Sequence, residues 1–325
     1  MNERILITGG AGFIGSNLAE ELLKLKKEVF VIDDLSTGSK ENILDFKENE
    51  QFHFFKGSIL NKKFLENIIK NNNIDFIFHL AAVVGVKNVL ENQLKSLQVN
   101  INGTETVLAL ASKYNIRILL TSSSEIYGKS KRLSFKETDD RILGSIQNSR
   151  WSYANSKAID EFFALAYYKE KKLPVIIVRL FNVTGKKQTG KYGMVIPTFI
   201  KQALENKPIT VYGTGKQKRC FSDIKDTVEA LIKFMNHKNV DGEIFNLGNN
   251  EEITINDLAK KIKNITKSKS NIIHLTYKKA YKEGFEDMYR RKPNIKKIQK
   301  ILNWKPKYDL NESLKQTINF YKQKN

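Results

Sequence analysis

The sequence predicts an α/β protein built on a doubly wound parallel sheet with a smaller C-terminal lobe. Short apolar runs alternate with longer segments of helical period over the first 180 residues. Parallel neighbours in a sheet need a crossover connection, and a helix in that crossover packs on one face of the sheet. After about residue 180 the pattern changes to short helices and loops rich in Gly and Lys. A ligand cleft is therefore expected between the lobe and the carboxyl edge of the sheet.

The individual elements follow from the positions of the apolar runs. Strands are predicted at residues 5–8, 29–33, 52–56, 76–80, 118–122 and 175–180, with helices between them. Residues 1–180 form the predicted sheet domain, to which a segment at about 221–248 returns. Residues 181–220 and 249–325 form the predicted lobe.

The composition of the 325-residue chain excludes several classes of protein. With 41% hydrophobic and 28% charged residues the chain can bury a core, which excludes a disordered tail and a coiled coil. It carries 55 Lys and Arg against 35 Asp and Glu, and this net charge of +20 attracts nucleic acid or anionic metabolites. The basic residues are dispersed along the chain, which is typical of a solvated surface and makes a nucleic-acid site the weaker interpretation.

Cysteine and histidine usage argues against structural cross-links. Cys220 is the only cysteine, so no intramolecular disulfide forms, and the four histidines are too scattered for a Cys/His metal cluster. No apolar stretch reaches the roughly 18 residues that span a bilayer. No export signal precedes the first strand. We therefore expect a cytoplasmic protein without a metal or a membrane segment.

A glycine-rich turn directly follows the first predicted strand. Residues 9–15 read GGAGFIG, and a helical segment follows them. The glycines let the backbone turn tightly and approach a pyrophosphate, whose charge the helix N-terminus stabilises. Asp33 ends the second strand, where a carboxylate accepts ribose hydroxyls and repels a 2′-phosphate, so the pattern predicts NAD rather than NADP. The predicted contacts are Gly9, Gly12, Phe13, Ile14, Gly15 and Asp33.

Tyr153 and Lys157 stand four residues apart in a predicted helix and therefore lie on one face. The pKa of a free tyrosine is about 10, so a nearby ammonium, a cofactor's positive charge and a hydrogen bond must lower it before the side chain takes a proton at neutral pH. Such a pair removes a proton from a sugar hydroxyl. A packed tyrosine beside a solvated lysine is the alternative interpretation of the pair taken alone.

Further motifs stand in the order of a known family. Residues 8–15 read TGGAGFIG, 33–38 DDLSTG, 79–82 HLAA, 122–128 SSSEIYG, 179–182 RLFN, 211–213 VYG, 246–248 NLG and 290–293 RRKP. With Tyr153 and Lys157, they make nearly the whole chain similar to the extended short-chain dehydrogenase/reductases that modify nucleotide sugars. The resemblance implies a Rossmann sheet with a substrate-binding lobe, NAD as cofactor, a UDP-sugar substrate, and a homodimer formed by a helix pair from each subunit.

The resemblance also implies roles for individual residues. Tyr153 is the expected base, and Ser123 the expected hydrogen-bond partner of the sugar hydroxyl. The catalytic set is Ser123, Glu125, Tyr153 and Lys157. The resemblance adds further residues to the predicted cofactor contacts: Ser58, Ile59, Leu80, Ala81, Ala82, Asn100, Tyr153 and Lys157. The implied substrate contacts are Ser124, Asn182, Arg219 and Arg291.

Members of this family oxidise sugar C4 to a ketone and differ in the step that follows. Glu125 stands where epimerases usually carry a neutral residue, and a carboxylate there favours chemistry at C5. Ser124 stands where thymidine-type dehydratases carry Asp, which disfavours loss of water. The pattern at 122–128 is similar to those of UDP-glucuronate decarboxylases and of GDP-mannose dehydratases, which normally use NADP; Asp33 argues against the latter. Arg291 matches an arginine near the substrate carboxylate, which suits a guanidinium.

The sequence therefore predicts a UDP-glucuronate decarboxylase that makes UDP-xylose. A UDP-glucose or UDP-glucuronate 4-epimerase and a sugar-nucleotide 4,6-dehydratase stay open. A noncatalytic NAD-sensing or RNA-binding protein is the alternative from another class. Ser58 replaces the family's usual Asp, whose carboxylate binds the adenine amino group, so weaker cofactor binding is expected.

Overall fold

The computed structural model describes residues 2–280 and 286–324, apart from the side chains of residues 280 and 324. Residues 281–285, which belong to the predicted lobe, and residues 1 and 325 lie outside the described residues. The strands in chain order are β1 (Arg4–Thr8), β2 (Glu28–Asp33), β3 (Phe52–Lys56), β4 (Phe76–His79), β5 (Arg117–Ser123), β6 (Val175–Leu180), β7 (Val183–Thr184), β8 (Ile209–Tyr212), β9 (Lys218–Cys220), β10 (Ser222–Asp223), β11 (Ile244–Leu247), β12 (Glu252–Thr254), β13 (Ile272–Leu275) and β14 (Arg290–Arg291).

Helices fill most of the intervals between these strands. They are α1 (Phe13–Lys24), α2 (Lys62–Asn72), α3 (Val86–Glu91), α4 (Gln93–Lys113), α5 (Arg150–Lys171), α6 (Val195–Leu204), α7 (Ile224–Asn236), α8 (Ile255–Thr266), α9 (Tyr277–Ala280), α10 (Lys296–Leu302) and α11 (Leu310–Lys324), with 3₁₀ helices at Lys40–Phe46 and Ser124–Tyr127. Side-chain caps fix several starts, because Asn61, Asp223 and Thr254 accept backbone N–H bonds at α2, α7 and α8.

The central sheet has seven strands in the order β3-β2-β1-β4-β5-β6-β11, and all neighbours are parallel. The predicted doubly wound sheet and its six strands are confirmed. Strand β11 lies within the returning segment but was not predicted as a strand, because the buried Asn246 interrupts its short apolar run. The strand order reverses at β1 and β4, and ligands bind outside the carboxyl ends of strands at such a point.

Buried apolar side chains cover both faces of this sheet. On one face Ile5, Ile7 and Val31 belong to the core that includes α1 and α7. On the other face Leu6 and Ile118 belong to the core that includes α2, α4 and α5. Successive residues of a strand point to opposite faces, so near-continuous apolar strands are expected where both faces are covered. No helix within residues 2–280 and 286–324 is long and apolar enough to cross a membrane.

The C-terminal lobe contains small sheets that the sequence pattern did not predict. Strand β8 pairs with β13, β7 pairs with β10, and β9 lies between β12 and β14. The register of β14 on β9 places Arg291 directly beside Arg219. The strands of these small sheets have two to four residues each, too few for a periodic pattern to show. A separate apolar core joins α6, α8 and α11.

Candidate active site

A cavity of about 480 Å³ lies between the carboxyl ends of the central strands and the lobe. It brings together the predicted cofactor and substrate residues, which come from distant parts of the chain. The predicted residues on its wall are Gly9, Gly12, Phe13, Ile14, Gly15, Asp33, Ser58, Ile59, Leu80, Ala81, Ala82, Ser123, Ser124, Glu125, Tyr153, Lys157, Asn182, Arg219 and Arg291.

Asn100 is the predicted cofactor contact that does not line this cavity. Its side chain is fully buried in α4, where Oδ1 accepts a hydrogen bond from the Val83 amide at 2.8 Å. Its Nδ2 donates to Ser156 Oγ at 3.1 Å. Val83 is part of the cavity wall, and Ser156 precedes Lys157 in α5. Asn100 therefore supports the wall from behind.

The turn between β1 and α1 requires glycine at two positions. Gly9 has a φ of +72°, and a Cβ there would come within 2.8 Å of the Ala81 backbone. A Cβ at Gly15 would come within 2.4 Å of the Gly9 carbonyl oxygen. Helix α1 begins at Phe13 after Gly12, which provides no capping side chain. The first N–H groups of the helix are therefore left for a ligand, and the turn fits a pyrophosphate.

Asp33 is 7% exposed at the carboxyl end of β2. Its Oδ2 accepts a bond from the Ala11 amide at 3.0 Å, and its Oδ1 accepts one from the Leu35 amide at 2.8 Å. Burial raises the pKa of Asp33, and these backbone N–H groups oppose the rise. A Cβ at Gly38 would lie 2.9 Å from both carboxylate oxygens, so glycine keeps space beside them. The arrangement fits the two hydroxyls of an adenosine ribose.

Helix α5 carries Tyr153 and Lys157 on the face that lines the cavity, as their spacing predicted. Lys157 Nζ donates to the Thr121 carbonyl oxygen at 3.1 Å and to Asp160 Oδ2 at 3.2 Å. Ser123 ends β5 and also hydrogen-bonds Tyr153. The structure therefore brings a tyrosine hydroxyl, a buried ammonium and a serine hydroxyl together at one point of the wall.

The protein groups around Tyr153 raise its pKa rather than lower it. Burial is the largest cause, and the charges of Glu125 and Asp160 add to it. The hydrogen bond with Ser123 opposes the rise. The sequence led us to expect help from Lys157, but its ammonium is shared with Asp160. The positive charge of a nicotinamide cofactor is therefore needed to favour the tyrosinate.

Glu125 is held between two arginines that come from opposite sides of the cleft. Arg291 Nη1, on β14, lies 2.9 Å from Glu125 Oε1. Arg150 Nη1, at the start of α5, pairs with Glu125 Oε2. Burial alone would raise the pKa of Glu125, but the charges of Arg150 and Arg291 outweigh it and lower the pKa to about 2. Glu125 is therefore ionised at every physiological pH.

The predicted substrate arginines are also paired with neighbouring side chains. Arg291 Nη2 donates to Asn182 Oδ1 at 3.0 Å. Arg219 Nη2 lies 2.7 Å from Asp287 Oδ1, and the Tyr277 hydroxyl donates to Asp287 Oδ2 at 2.6 Å. Burial and the charges of Arg291 and Arg150 together lower the pKa of Arg219 to about 10, against the opposing charges of Asp287 and Glu125. The substrate end of the cavity is thus a network of compensated charges.

Among the wall residues that sequence reasoning missed are Arg150, Tyr277 and Asp287, which belong to the charged network at the substrate end. Arg150 had a usable signal, because it precedes Tyr153 by three residues and so lies on the same helix face. Asp287 and Tyr277 stand in segments without a periodic pattern, and only the fold brings them to Arg219.

Comparison with known proteins identifies relatives that cover almost all of the chain. The family described as GDP-mannose 4,6 dehydratase matches residues 6–317. The chain is 40% identical to the UDP-N-acetyl-alpha-D-glucosaminuronate decarboxylase of Bacillus cytotoxicus, over 99% of both chains. It is 35% identical to UDP-glucuronic acid decarboxylase 1 of Danio rerio, over 98% of this chain and 72% of the relative.

Solved structures with a similar fold also cover almost all of the chain. Pal from Bacillus thuringiensis has a TM-score of 0.91 and 30% identity, covering 99% of this chain and 100% of that one. A UDP-glucuronic acid 4-epimerase from Bacillus cereus, solved with UDP-glucuronic acid and NAD, has a TM-score of 0.89 and 28% identity, covering 99% and 100%. The predicted nucleotide-sugar family is confirmed. The chain belongs to the GDP-mannose 4,6-dehydratase family.

Proposed function

We propose that this protein is an NAD-dependent decarboxylase of a UDP-linked uronic acid, with UDP-glucuronate as the first candidate substrate. The observation that carries the proposal is the Glu125 carboxylate between Arg150 and Arg291, in the same cavity as Tyr153. Arg291 fits a substrate carboxylate, which a decarboxylase and a UDP-glucuronate 4-epimerase would both bind. Glu125 is a further charged group that a 4-epimerase, with only hydride and proton transfer at C4, does not need. The two decarboxylases among the relatives support this assignment.

The sheet domain, residues 1–180 with the segment 221–248, is the proposed cofactor domain. The turn at Gly9 and Gly15 would hold the pyrophosphate of NAD, and Asp33 would hold the ribose. NAD, when bound, supplies a hydride acceptor and later a hydride donor for sugar C4. The remaining lobe would hold the UDP-sugar, with Arg219 and Arg291 next to each other on β9 and β14.

The first chemical step is oxidation at C4. Tyr153 takes the proton of the C4 hydroxyl while Ser123 hydrogen-bonds the same oxygen and the hydride leaves C4. The product is a 4-keto sugar whose C6 carboxylate is β to the ketone. The bond between C5 and C6 then breaks, carbon dioxide leaves, and the electron pair moves to C5 and the C4 oxygen, which Tyr153 stabilises by its hydroxyl. C5 takes a proton from water, and the hydroxide left behind is neutralised by solvent. C4 then regains the hydride while Tyr153 returns its proton to the C4 oxygen.

Glu125 is ionised before the substrate binds, because the charges of Arg150 and Arg291 lower its pKa. We propose that Glu125 orients the water that protonates C5, while Arg150 keeps the carboxylate in place. Arg291 exchanges Glu125 for the substrate carboxylate, because a guanidinium binds either one in the same geometry.

The test is a product assay of the purified protein with NAD. UDP-glucuronate, UDP-N-acetylglucosaminuronate and UDP-glucose are supplied separately, and products are followed by mass spectrometry and proton NMR. Loss of carbon dioxide with a UDP-pentose spectrum supports UDP-glucuronate as the substrate. Loss of carbon dioxide from UDP-N-acetylglucosaminuronate alone would make that sugar the substrate instead. Unchanged mass with a new C4 epimer would establish the 4-epimerase, the second candidate, which the similarity to the Bacillus cereus enzyme favours. Inertness toward all three contradicts the proposal.

We also propose a homodimer formed by the outer faces of α4 and α5. Leu94 on α4 is 70% exposed and Phe162 on α5 is 66% exposed, and Ile159 lies close to Phe162 in the sequence and is also exposed. Large apolar side chains grouped on a surface are typical of an interface. Light scattering should give the mass of a dimer for the wild type and of a monomer for Phe162→Glu. A cytoplasmic location completes the proposal and fits the single buried Cys220.

A further inference from the structure

Asp160 lies directly behind the proposed catalytic lysine and has no part in the steps above. It is fully buried in α5, three residues after Lys157. Its Oδ2 accepts a hydrogen bond from Lys157 Nζ at 3.2 Å, and the Thr121 carbonyl oxygen accepts a second at 3.1 Å. Lys157 is itself only 3% exposed. An ammonium buried to this extent stays charged only beside a counter-charge.

A chain of buried hydrogen bonds ends at Thr104, whose hydroxyl influences the pKa of Asp160. The Ala81 amide donates to Thr8 Oγ1 at 3.3 Å, so we assign the Thr8 hydroxyl hydrogen to His79 Nδ1, 2.7 Å away. His79 Nε2 then donates to Thr104 Oγ1 at 3.0 Å. Burial raises the pKa of Asp160, and the charge of Lys157 and the Thr104 hydroxyl oppose that rise.

The other titratable groups around the pair do not balance the lysine. Glu161 accepts two hydrogen bonds from Arg179, Nε at 2.9 Å and Nη2 at 2.8 Å. Burial lowers the pKa of His79 to about 3, so His79 on β4 stays neutral. Tyr153, on the cavity side, is neutral until it gives up its proton. Asp160 is therefore left as the counter-charge of Lys157.

We infer that Asp160 is a positioning residue that keeps Lys157 protonated and fixed in place for the proton transfer at Tyr153. Two of the three ammonium protons of Lys157 are directed at Asp160 and Thr121, so the remaining proton has a defined direction. The inference rests on the C4 oxidation step of the proposed function and not on decarboxylation.

The experiment compares Asp160→Asn with the wild type in the pH dependence of kcat/KM, using whichever UDP-sugar the wild type oxidises. Without the counter-charge, burial favours the neutral amine as the pH rises, so activity should fall at least ~10-fold at about pH 9 and less than ~3-fold at about pH 6.5. Glu170→Gln, which neutralises an exposed carboxylate on the same helix, is the control and should leave the profile unchanged. An equal loss at both pH values would show a merely structural role and overturn the inference.

A second measurement needs no turnover. Lys157 lines the cavity together with the proposed cofactor residues, so NAD affinity measured by calorimetry should weaken on the alkaline side in Asp160→Asn. If that variant does not fold, Thr104→Val removes a hydroxyl that lowers the pKa of Asp160 and should move NAD affinity in the same direction, by about 2- to 3-fold. An NAD affinity with the same pH dependence as the wild type overturns the inference. Failure of the decarboxylase proposal, by contrast, appears only in the product assay.

Discussion

The cofactor end of the cleft is formed mainly by backbone groups, and the substrate end is formed by charged side chains. At the cofactor end the backbone forms the binding surface: a glycine turn, the first N–H groups of α1, and an Asp33 carboxylate that two backbone amides hold in place. At the substrate end charged side chains form the surface, and they are paired with one another, as Glu125 is with Arg291. At the cofactor end the binding groups are in place before a ligand binds. At the second end, a ligand must compete with charges that are already matched.

The largest effect is expected at the point where the two ends meet. Tyr153→Phe should lower turnover by at least ~10³-fold, because the hydroxyl that accepts and returns the C4 proton is lost. NAD affinity should change far less, since the glycine turn and Asp33 make their cofactor contacts without this hydroxyl. Product formation and calorimetry measure the two quantities, and residual turnover near the wild-type rate would refute the shared oxidation step.

Glu125→Gln separates the chemistry of the substrate end from oxidation. The amide keeps the shape of the side chain but loses the charge that both arginines hold, so protonation at C5, and with it turnover to the UDP-pentose, should fall ~100-fold. The first oxidation, seen as a burst of absorbance of the reduced cofactor, should change less than ~3-fold because it belongs to Tyr153. A variant that still decarboxylates at the wild-type rate would remove Glu125 from the mechanism.

Arg150→Gln tests how the ionised state of Glu125 is maintained. Burial raises the pKa of Glu125, and Arg150 is the largest of the causes that lower it, so the variant should have a higher pKa at this group. In the wild type Glu125 is ionised from about pH 2 upward, so it gives no acid limb between about pH 5 and 8. In the variant, activity should fall as the pH drops toward about 5.

Arg132→Gln is the matched control for this pH profile, because Arg132 is exposed and pairs with Asp139 outside the cavity. An unchanged profile in Arg150→Gln would mean that Arg291 alone suffices.

Ser58→Asp changes the cofactor end by the smallest amount. Ser58 lines the cavity where relatives of this pattern are expected to carry a carboxylate for the adenine amino group. An added acceptor should tighten NAD binding by ~3- to 10-fold, or about 1 kcal/mol. Calorimetry with Ser58→Asn as an uncharged comparison isolates the charge. No gain would indicate that adenine does not reach this residue.

The difference between the two ends also explains what the sequence predicts well. Strands β1 to β6 are long apolar runs, and the glycine turn and Asp33 lie within 25 residues of one another, so local patterns reveal them. Arg291 and Glu125 are separated by 166 positions, and no local pattern links them. The sequence suggested both residues only through a family resemblance, and it gave no sign of Asp287.

The pKa of Tyr153 shows a second limit of sequence reasoning. The spacing of Tyr153 and Lys157 correctly predicted one helix face. It carried no information about burial or about Asp160, and these determine the direction in which the pKa moves. The pKa of a side chain depends on all the groups that surround it in three dimensions, so it can be assessed only once the fold is known.

The contact between Glu125 and Arg291 has a consequence for the end of the catalytic cycle. Glu125 occupies Arg291 in this structure, and in the proposed mechanism the substrate carboxylate takes its place on the guanidinium. Once carbon dioxide has left, the sugar has nothing to offer Arg291, and Glu125 takes the guanidinium back. Decarboxylation thus removes the carboxylate through which Arg291 bound the ligand. We expect the UDP-pentose to bind at least ~10-fold more weakly than the UDP-uronate, and equal inhibition and binding constants for the two would contradict this.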